Sequence, residues 1–243
     1  MSVKPISDLE ERSRDQASHD GAVRDMFDKI APTYDLANRV MSAGIDVIWR
    51  KKAIAELAGI PEGKLLDSCA GTLDLTKMLV ETMRERTIVA ADFSKEMLEN
   101  GKEKAPHVER VVADAMHMPF DDEAFAGMIC GFGMRNLGDT AKGVREALRV
   151  LKPGGVFVTL EFFKPVTWTS KTFHKAYAKA VLPAAGGMLS GEPDAYRYLA
   201  KSMEGFWSRE EYETMLRDNG FAKVKGYDLL LGIASIVRAE KAS

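Results

Sequence analysis

Between residues 64 and 163 short apolar runs alternate with amphipathic stretches, and no other feature of the chain restricts its fold as much. Residues 64–69, 87–92, 108–113, 125–130 and 155–163 read as five strands, each too short and too evenly apolar to form a helix with one wet face. Helices fill the intervals: one over 73–85, one from Ser94, and one with Val144, Ala147, Leu148 and Leu151 on a single stripe that stops at Lys152-Pro-Gly-Gly155. Strands alternating with helices predict a mostly parallel sheet covered on both faces. The last segment changes pattern. Ser208 and Glu211 have the spacing of a capping box, Gly220 ends that helix, and residues 221–231 and 233–240 follow as two tightly linked strands. The expected fold is α/β and Rossmann-like: a seven-stranded, mostly parallel sheet that finishes in an antiparallel hairpin.

Three regions are expected. Residues 1–20 carry mixed charge and few apolar positions, so they read as a flexible tail. Residues 21–60 form a helical N-terminal lid: Val23, Met26, Phe27 and Ile30 share one helical face, Pro32 ends that helix, and helical propensity resumes over 45–58. Residues 61–243 make the main domain, with an aromatic-rich helical insertion near 164–207. That insertion holds seven aromatics, about twice the 8% of the whole chain. It suits a greasy substrate mouth, a surface touching a bilayer or partner subunit, or a plain cap over the sheet.

Composition narrows the function classes. Across 243 residues, 34 Lys and Arg against 36 Asp and Glu give a net charge of −2, which argues against a nucleic-acid binder or a polybasic membrane anchor. Two cysteines make no disulfide framework, no cluster has metal-ligand spacing, and neither a leader pattern nor a spanning apolar run is present. A reduced, cytoplasmic protein without a metal is expected. Cys69 and Cys130 read as buried small hydrophobes in neighbouring strands.

In open α/β sheets ligands bind beyond the carboxyl ends of the strands. The first strand ends in Asp67-Ser-Cys-Ala-Gly-Thr-Leu-Asp74, where Ala70 and Gly71 let a ligand approach the backbone, but neither a dinucleotide glycine pattern nor a phosphate-loop lysine is present. Asp92 ends the second strand, placed for the hydroxyls of a ribose, with a helix cap ahead of Ser94 as the alternative. Asp114-Ala115-Met116 after the third strand suits an adenine, whose amine needs an acceptor and whose ring needs apolar faces. Gly131 and the Arg135–Asn136 pair face the same mouth after the fourth.

These strand ends resemble those of class I S-adenosylmethionine-dependent methyltransferases. Met26-Phe-Asp-Lys-Ile-Ala-Pro-Thr-Tyr-Asp-Leu-Ala-Asn38, Ser42-Ala-Gly-Ile-Asp-Val-Ile-Trp-Arg50 and Phe132-Gly-Met-Arg-Asn-Leu137 strongly resemble the quinone-biosynthesis C-methyltransferases. The resemblance extends from about Val23 to Lys241 and includes Glu161-Phe162. It implies methyl transfer from S-adenosylmethionine to a prenylated quinol, either demethylmenaquinol or the corresponding ubiquinone precursor. Another small phenol, or cofactor binding without turnover, stays open as an alternative.

The resemblance also assigns roles. Thr72, Asp92, Asp114 and Ala115 would contact the cofactor, with Gly71, Asp67 and Gly131 beside it. Tyr34 would close over the sulfonium or simply pack the lid. Arg135, with Asn136, would hold a developing phenolate; a purely structural pairing of Arg135 with an acidic side chain is the alternative. His117 has the acidity of a general base but lies on the adenine side. Partners implied are the quinol, the inner face of the membrane, other quinone-biosynthesis enzymes and a second copy of the chain. One departure stands out: Leu73 occupies a position where the family usually has glycine. A leucine there would narrow the methionine end of the pocket or force the turn to readjust.

Overall fold

The computed structural model describes residues 21, 23–42, 44–168, 170–172, 198 and 201–243. The proposed tail and most of the aromatic segment, including Phe173, Tyr177 and Tyr196, lie outside the described residues.

Seven strands form one sheet: β1 (Lys64–Ser68), β2 (Ile88–Asp92), β3 (Glu109–Val112), β4 (Phe125–Gly131), β5 (Leu151–Glu161), β6 (Phe221–Leu229) and β7 (Ala234–Lys241). Their spatial order is β3-β2-β1-β4-β5-β7-β6. β1 to β5 are mutually parallel, while β7 runs antiparallel to both β5 and β6. Strand order reverses between β1 and β4, so their carboxyl ends open a crevice there.

Side chains alternate across the sheet, and successive residues feed two cores. Leu66, Met128 and Phe157 pack on one face; Leu65, Ile129 and Val158 pack on the other. Each such apolar side chain contributes about 1.5–3 kcal/mol by leaving water. The first face is covered by α5 (Thr140–Val150) and α6 (Arg209–Asp218), which supply Val144, Ala147, Tyr212 and Leu216. Tyr212 is fully buried, with its hydroxyl 3.0 Å from Thr159 Oγ1. The second face receives Trp49, Ala53 and Ile54 of α2 (Asp46–Ala55) and Leu75 and Leu79 of α3 (Asp74–Thr82). The Ser208–Glu211 capping box forms as the sequence predicts, and Gly220 takes φ +106° at the end of α6.

Three local expectations change. The 23–30 helix does yield to turns at 31–33, but a further helix, α1 (Tyr34–Met41), follows directly and was not read from the sequence. β5 starts at Leu151, not Gly155, because Leu151 already pairs with Phe125 and the next pair is Val156 with Gly127. Lys152-Pro-Gly-Gly155 is therefore a bulge within the strand, with Gly154 at φ +72°. Leu230–Gly232 forms a tight link of three left-handed residues (φ 41°, 57° and 82°) between the hairpin strands, where strand had been expected to run on to Leu231.

Candidate active site

The turn after β1 is unusually tight. Cys69, Gly71 and Leu73 all have left-handed backbones, at φ 55°, 54° and 65°. Such a turn brings the Gly71 amide within 2.8 Å of Asp92 Oδ2 at the end of β2. A Cβ at Gly71 would meet nothing nearer than the Tyr34 ring at 3.9 Å, so the missing side chain leaves open space between the turn and that ring. Leu73 resolves the question raised by its identity. It is fully buried against Ala70, Ala90, Leu98 and Ala105, and it does not line the cavity described below. The leucine keeps the glycine-like backbone and turns its side chain away from the crevice.

Two buried carboxylates flank this turn. Asp92 accepts from the Gly71 amide and, through Oδ1, from the Ser94 amide at 2.9 Å. Burial pushes its carboxyl up to about 6, against those two amides. Ser94 is itself the cap of α4 (Lys95–Gly101), accepting from Met97 N at 3.0 Å, so Asp92 braces that turn without being the cap. Asp67 is fully buried; burial pushes it up to about 7, although the Thr76 hydroxyl donates to Oδ2. Its Oδ1 is buried without a hydrogen-bond partner among the described residues.

An open cavity, about 750 Å³ with the solvent space at its mouth included, lies beyond β1, β2 and β4. It gathers Tyr34, Gly71, Asp92, Asp114, Ala115, Gly131 and Asn136 from seven separate positions in the sequence. Thr72, Asp67 and Arg135 are not on its wall. The Thr72 hydroxyl donates instead to Asp35 Oδ1 at 2.5 Å. Asp114 accepts from Met116 N at 2.8 Å and lies 3.3 Å from Nδ1 of His117, whose ring is largely exposed and absent from the cavity.

Phe27, read from the sequence only as part of a helical face, and Phe93, not singled out there, also line the cavity. Their rings meet edge to face at 6.1 Å, and Arg24 stands 5.6 Å from the Phe93 centroid. Phe93 had a signal, since it directly follows the acid that ends β2. Cys69 corrects an expectation: it sits just after β1, is only half-buried, and contributes to the cavity wall, whereas Cys130 is buried as expected. A hydrogen bond with Cys69, and then burial, raise the Cys130 thiol well above its usual range.

The N-terminal helices are tied to the same strand ends. Asp35 of α1 pairs with Lys104, which also holds Asp74 at 2.6 Å, and the Ser94 hydroxyl donates to Asp28. Burial raises the Tyr34 hydroxyl; a hydrogen bond with Asn38 and the charges of Arg135 and Arg50 oppose that rise. Asp28 and Asp35 lie inside the Met26–Asn38 motif but had no role of their own in the sequence reading, and Lys104 had no signal at all, because each matters only through a partner at least 30 positions away.

Arg135 lines a second, larger and more open cavity, about 1580 Å³ with solvent space included, which shares Val23 and Leu137 with the first. Its Nη1 donates to Glu161 Oε1 at 2.8 Å and to the Phe132 carbonyl at 2.5 Å. The acidic partner foreseen as an alternative is thus present. Asn136 accepts from the Tyr198 hydroxyl at 3.3 Å. Phe206 and Trp207 bring aromatic surface to the second cavity.

A sheet of this order, with carboxylates after β2 and β3 facing one cavity at the β1/β4 switch point, defines a class I S-adenosylmethionine-dependent methyltransferase. Solved structures agree on the fold. Phosphoethanolamine N-methyltransferase 2 of Haemonchus contortus, in complex with S-adenosyl-L-methionine, superposes with a TM-score of 0.64 at 13% identity, covering 91% of this chain and 60% of that one. Geranyl diphosphate C-methyltransferase of Streptomyces coelicolor A3(2) gives 0.58 at 15% identity, covering 81% and 79%.

Within that class the chain belongs to the ubiE/COQ5 methyltransferase family, which matches residues 14–241. It is 38% identical over 226 residues to the ubiquinone/menaquinone biosynthesis C-methyltransferase UbiE of Geotalea daltonii, covering 90% of this chain and 96% of that protein. It is 38% identical over 218 residues to the demethylmenaquinone methyltransferase of Chlorobaculum tepidum, covering 88% and 90%.

Proposed function

We infer that this chain methylates a ring carbon of a prenylated quinol in respiratory quinone biosynthesis, using S-adenosylmethionine. The observation that carries the reading is the pair of adjoining cavities: one has carboxylates and small residues at the strand ends, the other has the aromatic side chains Tyr198, Phe206 and Trp207 beside the nearly buried Arg135 guanidinium. The first fits the cofactor. Asp92 suits ribose hydroxyls, Asp114 and Ala115 suit an adenine, Gly71 leaves room beside the backbone, and the Tyr34 ring suits a cationic sulfur. When bound, S-adenosylmethionine supplies an electrophilic methyl group.

The chain's own residues then have to make a ring carbon nucleophilic. A quinol reacts through carbon once a phenolic proton has left, and that proton has a pKa around 10 by analogy with tyrosine. Arginine stays protonated and is no base. Arg135 instead donates to the developing oxyanion from the second cavity's wall, where its own near-complete burial strengthens the contact. A water or another group carries off the proton. Asn136, held by Tyr198, occupies the boundary between the two ligands. The helices over 23–41 act as a lid, latched by Asp35 and Asp28, and exclude water from the reacting atoms. Work at the inner face of the membrane accords with a prenylated substrate, and among the described residues no helix is long and apolar enough to cross a membrane.

The test is to incubate purified protein with labelled S-adenosylmethionine and a panel of demethylated quinols and simple phenols. Label should enter the quinols and be carbon-bound; transfer to simple phenols alone would overturn the substrate assignment. Arg135→Lys keeps the charge but loses the planar fork, so turnover should fall by about 100-fold or more while cofactor affinity stays within about twofold.

A further inference from the structure

Glu161 ends β5 and is fully buried, yet it does not line either cavity. Its carboxylate gathers three donors. Oε1 accepts from Arg135 Nη1 at 2.8 Å and from Phe162 N at 2.8 Å, and Oε2 accepts from Arg135 N at 3.2 Å. Arg135 is therefore held twice by one side chain, at its backbone and at one tip of its guanidinium. The flat ion packs over Phe162, 5.7 Å from the ring centroid, which further restricts its tilt. Nη1 carries the side chain's bonds to both Glu161 and the Phe132 carbonyl and Nε is buried, so among the described residues Nη2 is the tip left to meet a ligand and the fork is not used up by this pairing.

A buried ion pair gains little stability over well-packed apolar side chains, since two ions must be desolvated. Its presence at the wall of the substrate cavity calls for another account. We propose that Glu161 is a positioning residue for methyl transfer, fixing the Arg135 guanidinium so that its remaining donors meet the substrate oxyanion. The proposal rests on the reading of Arg135 given above. Glu161 touches neither substrate nor cofactor and acts only through Arg135.

The experiment compares Glu161→Gln, Arg135→Gln and the double variant, measuring turnover on demethylmenaquinol and S-adenosylmethionine affinity by calorimetry. Glutamine keeps the shape and one acceptor but loses the charge. An ångström of misplacement can cost about 100-fold, so Glu161→Gln should lower kcat by about 10- to 100-fold with cofactor affinity within about twofold. Because both residues act as one unit, the double variant should be no more than about threefold slower than Arg135→Gln. Multiplicative losses, or a matching loss of cofactor affinity, would overturn the proposal. So would an Arg135→Gln loss with Glu161→Gln unaffected, which leaves the Arg135 reading standing. An unaffected Arg135→Gln would overturn both. If Glu161→Gln fails to fold, Glu161→Asp replaces it: the shorter carboxylate keeps the charge but withdraws from the fork. It must show the same kcat-specific loss, and full activity in it would sink the proposal.

Discussion

Replacing Leu73 with glycine restores the residue usual in the family and should nevertheless weaken this protein. Leu73 is fully buried in a small cluster with Ala70, Ala90, Leu98 and Ala105. The cluster is tight: a Cβ added at Gly101 would lie 2.9 Å from Leu73 Cγ. Truncating a buried leucine costs about 2–5 kcal/mol, partly as an unfilled cavity. Some of that is returned, because an L-residue at φ 65° carries roughly 1–2 kcal/mol of strain that glycine avoids. Glycine's greater freedom in the unfolded chain takes back up to about 1 kcal/mol. The net is a loss of about 3 kcal/mol, which for a chain of this length lowers the melting temperature by about 6–12 °C. Leu73→Ala keeps the left-handed strain and loses the same packing, so it should melt at or below the glycine variant. Both are read by thermal melts followed by circular dichroism, with calorimetric titration of S-adenosylmethionine alongside. Since Leu73 does not line the cavity, affinity should stay within about twofold of the parent. A glycine variant as stable as the parent but binding much more tightly would show that the leucine does crowd the methionine end.

Asp92→Ala should weaken cofactor binding by about 10- to 150-fold in calorimetry. It should also lower the melting temperature, because the Gly71 and Ser94 amides lose their acceptor; unchanged affinity would leave Asp92 a brace alone. The raised Asp67 and Asp92 carboxyls bind protons more tightly folded than unfolded, so their contribution is greatest at low pH and is lost as pH rises toward about 7 and 6. At about 1.4 kcal/mol per pH unit, Asp67 alone accounts for up to about 4 kcal/mol. The cofactor-free melting temperature should therefore fall between about pH 4 and 7 and level off above, and a flat or rising profile across that range refutes this. Asp35→Asn removes the charge that pairs with Lys104, so stopped-flow measurements should show faster cofactor release. An unchanged release rate would rule out a latch.

Much of this molecule was legible in its sequence because the information is local. Short, evenly apolar runs marked the strands, Ser208 and Glu211 marked a helix start, and acids at successive strand ends marked the mouth of the crevice. Local pattern failed where pairing decided the outcome. Leu151 belongs to β5 because Phe125 is there to pair with it, and the glycines that looked like a stop became a bulge. α1 was missed because the proline and turn before it looked like an ending.

The chain alone determined the doubly covered sheet, the order of the chemistry-bearing residues along it and the family to which they belong. Only the tertiary structure decided which of them meet. Tyr34, Gly71, Asp92, Asp114, Ala115, Gly131 and Asn136 share one cavity, while Thr72 turns to Asp35 and Arg135 to Glu161. It also decided that Leu73 points into the core. A side chain's direction depends on the backbone angles of its turn and on what fills the space beside it, and both are set by residues distant in sequence.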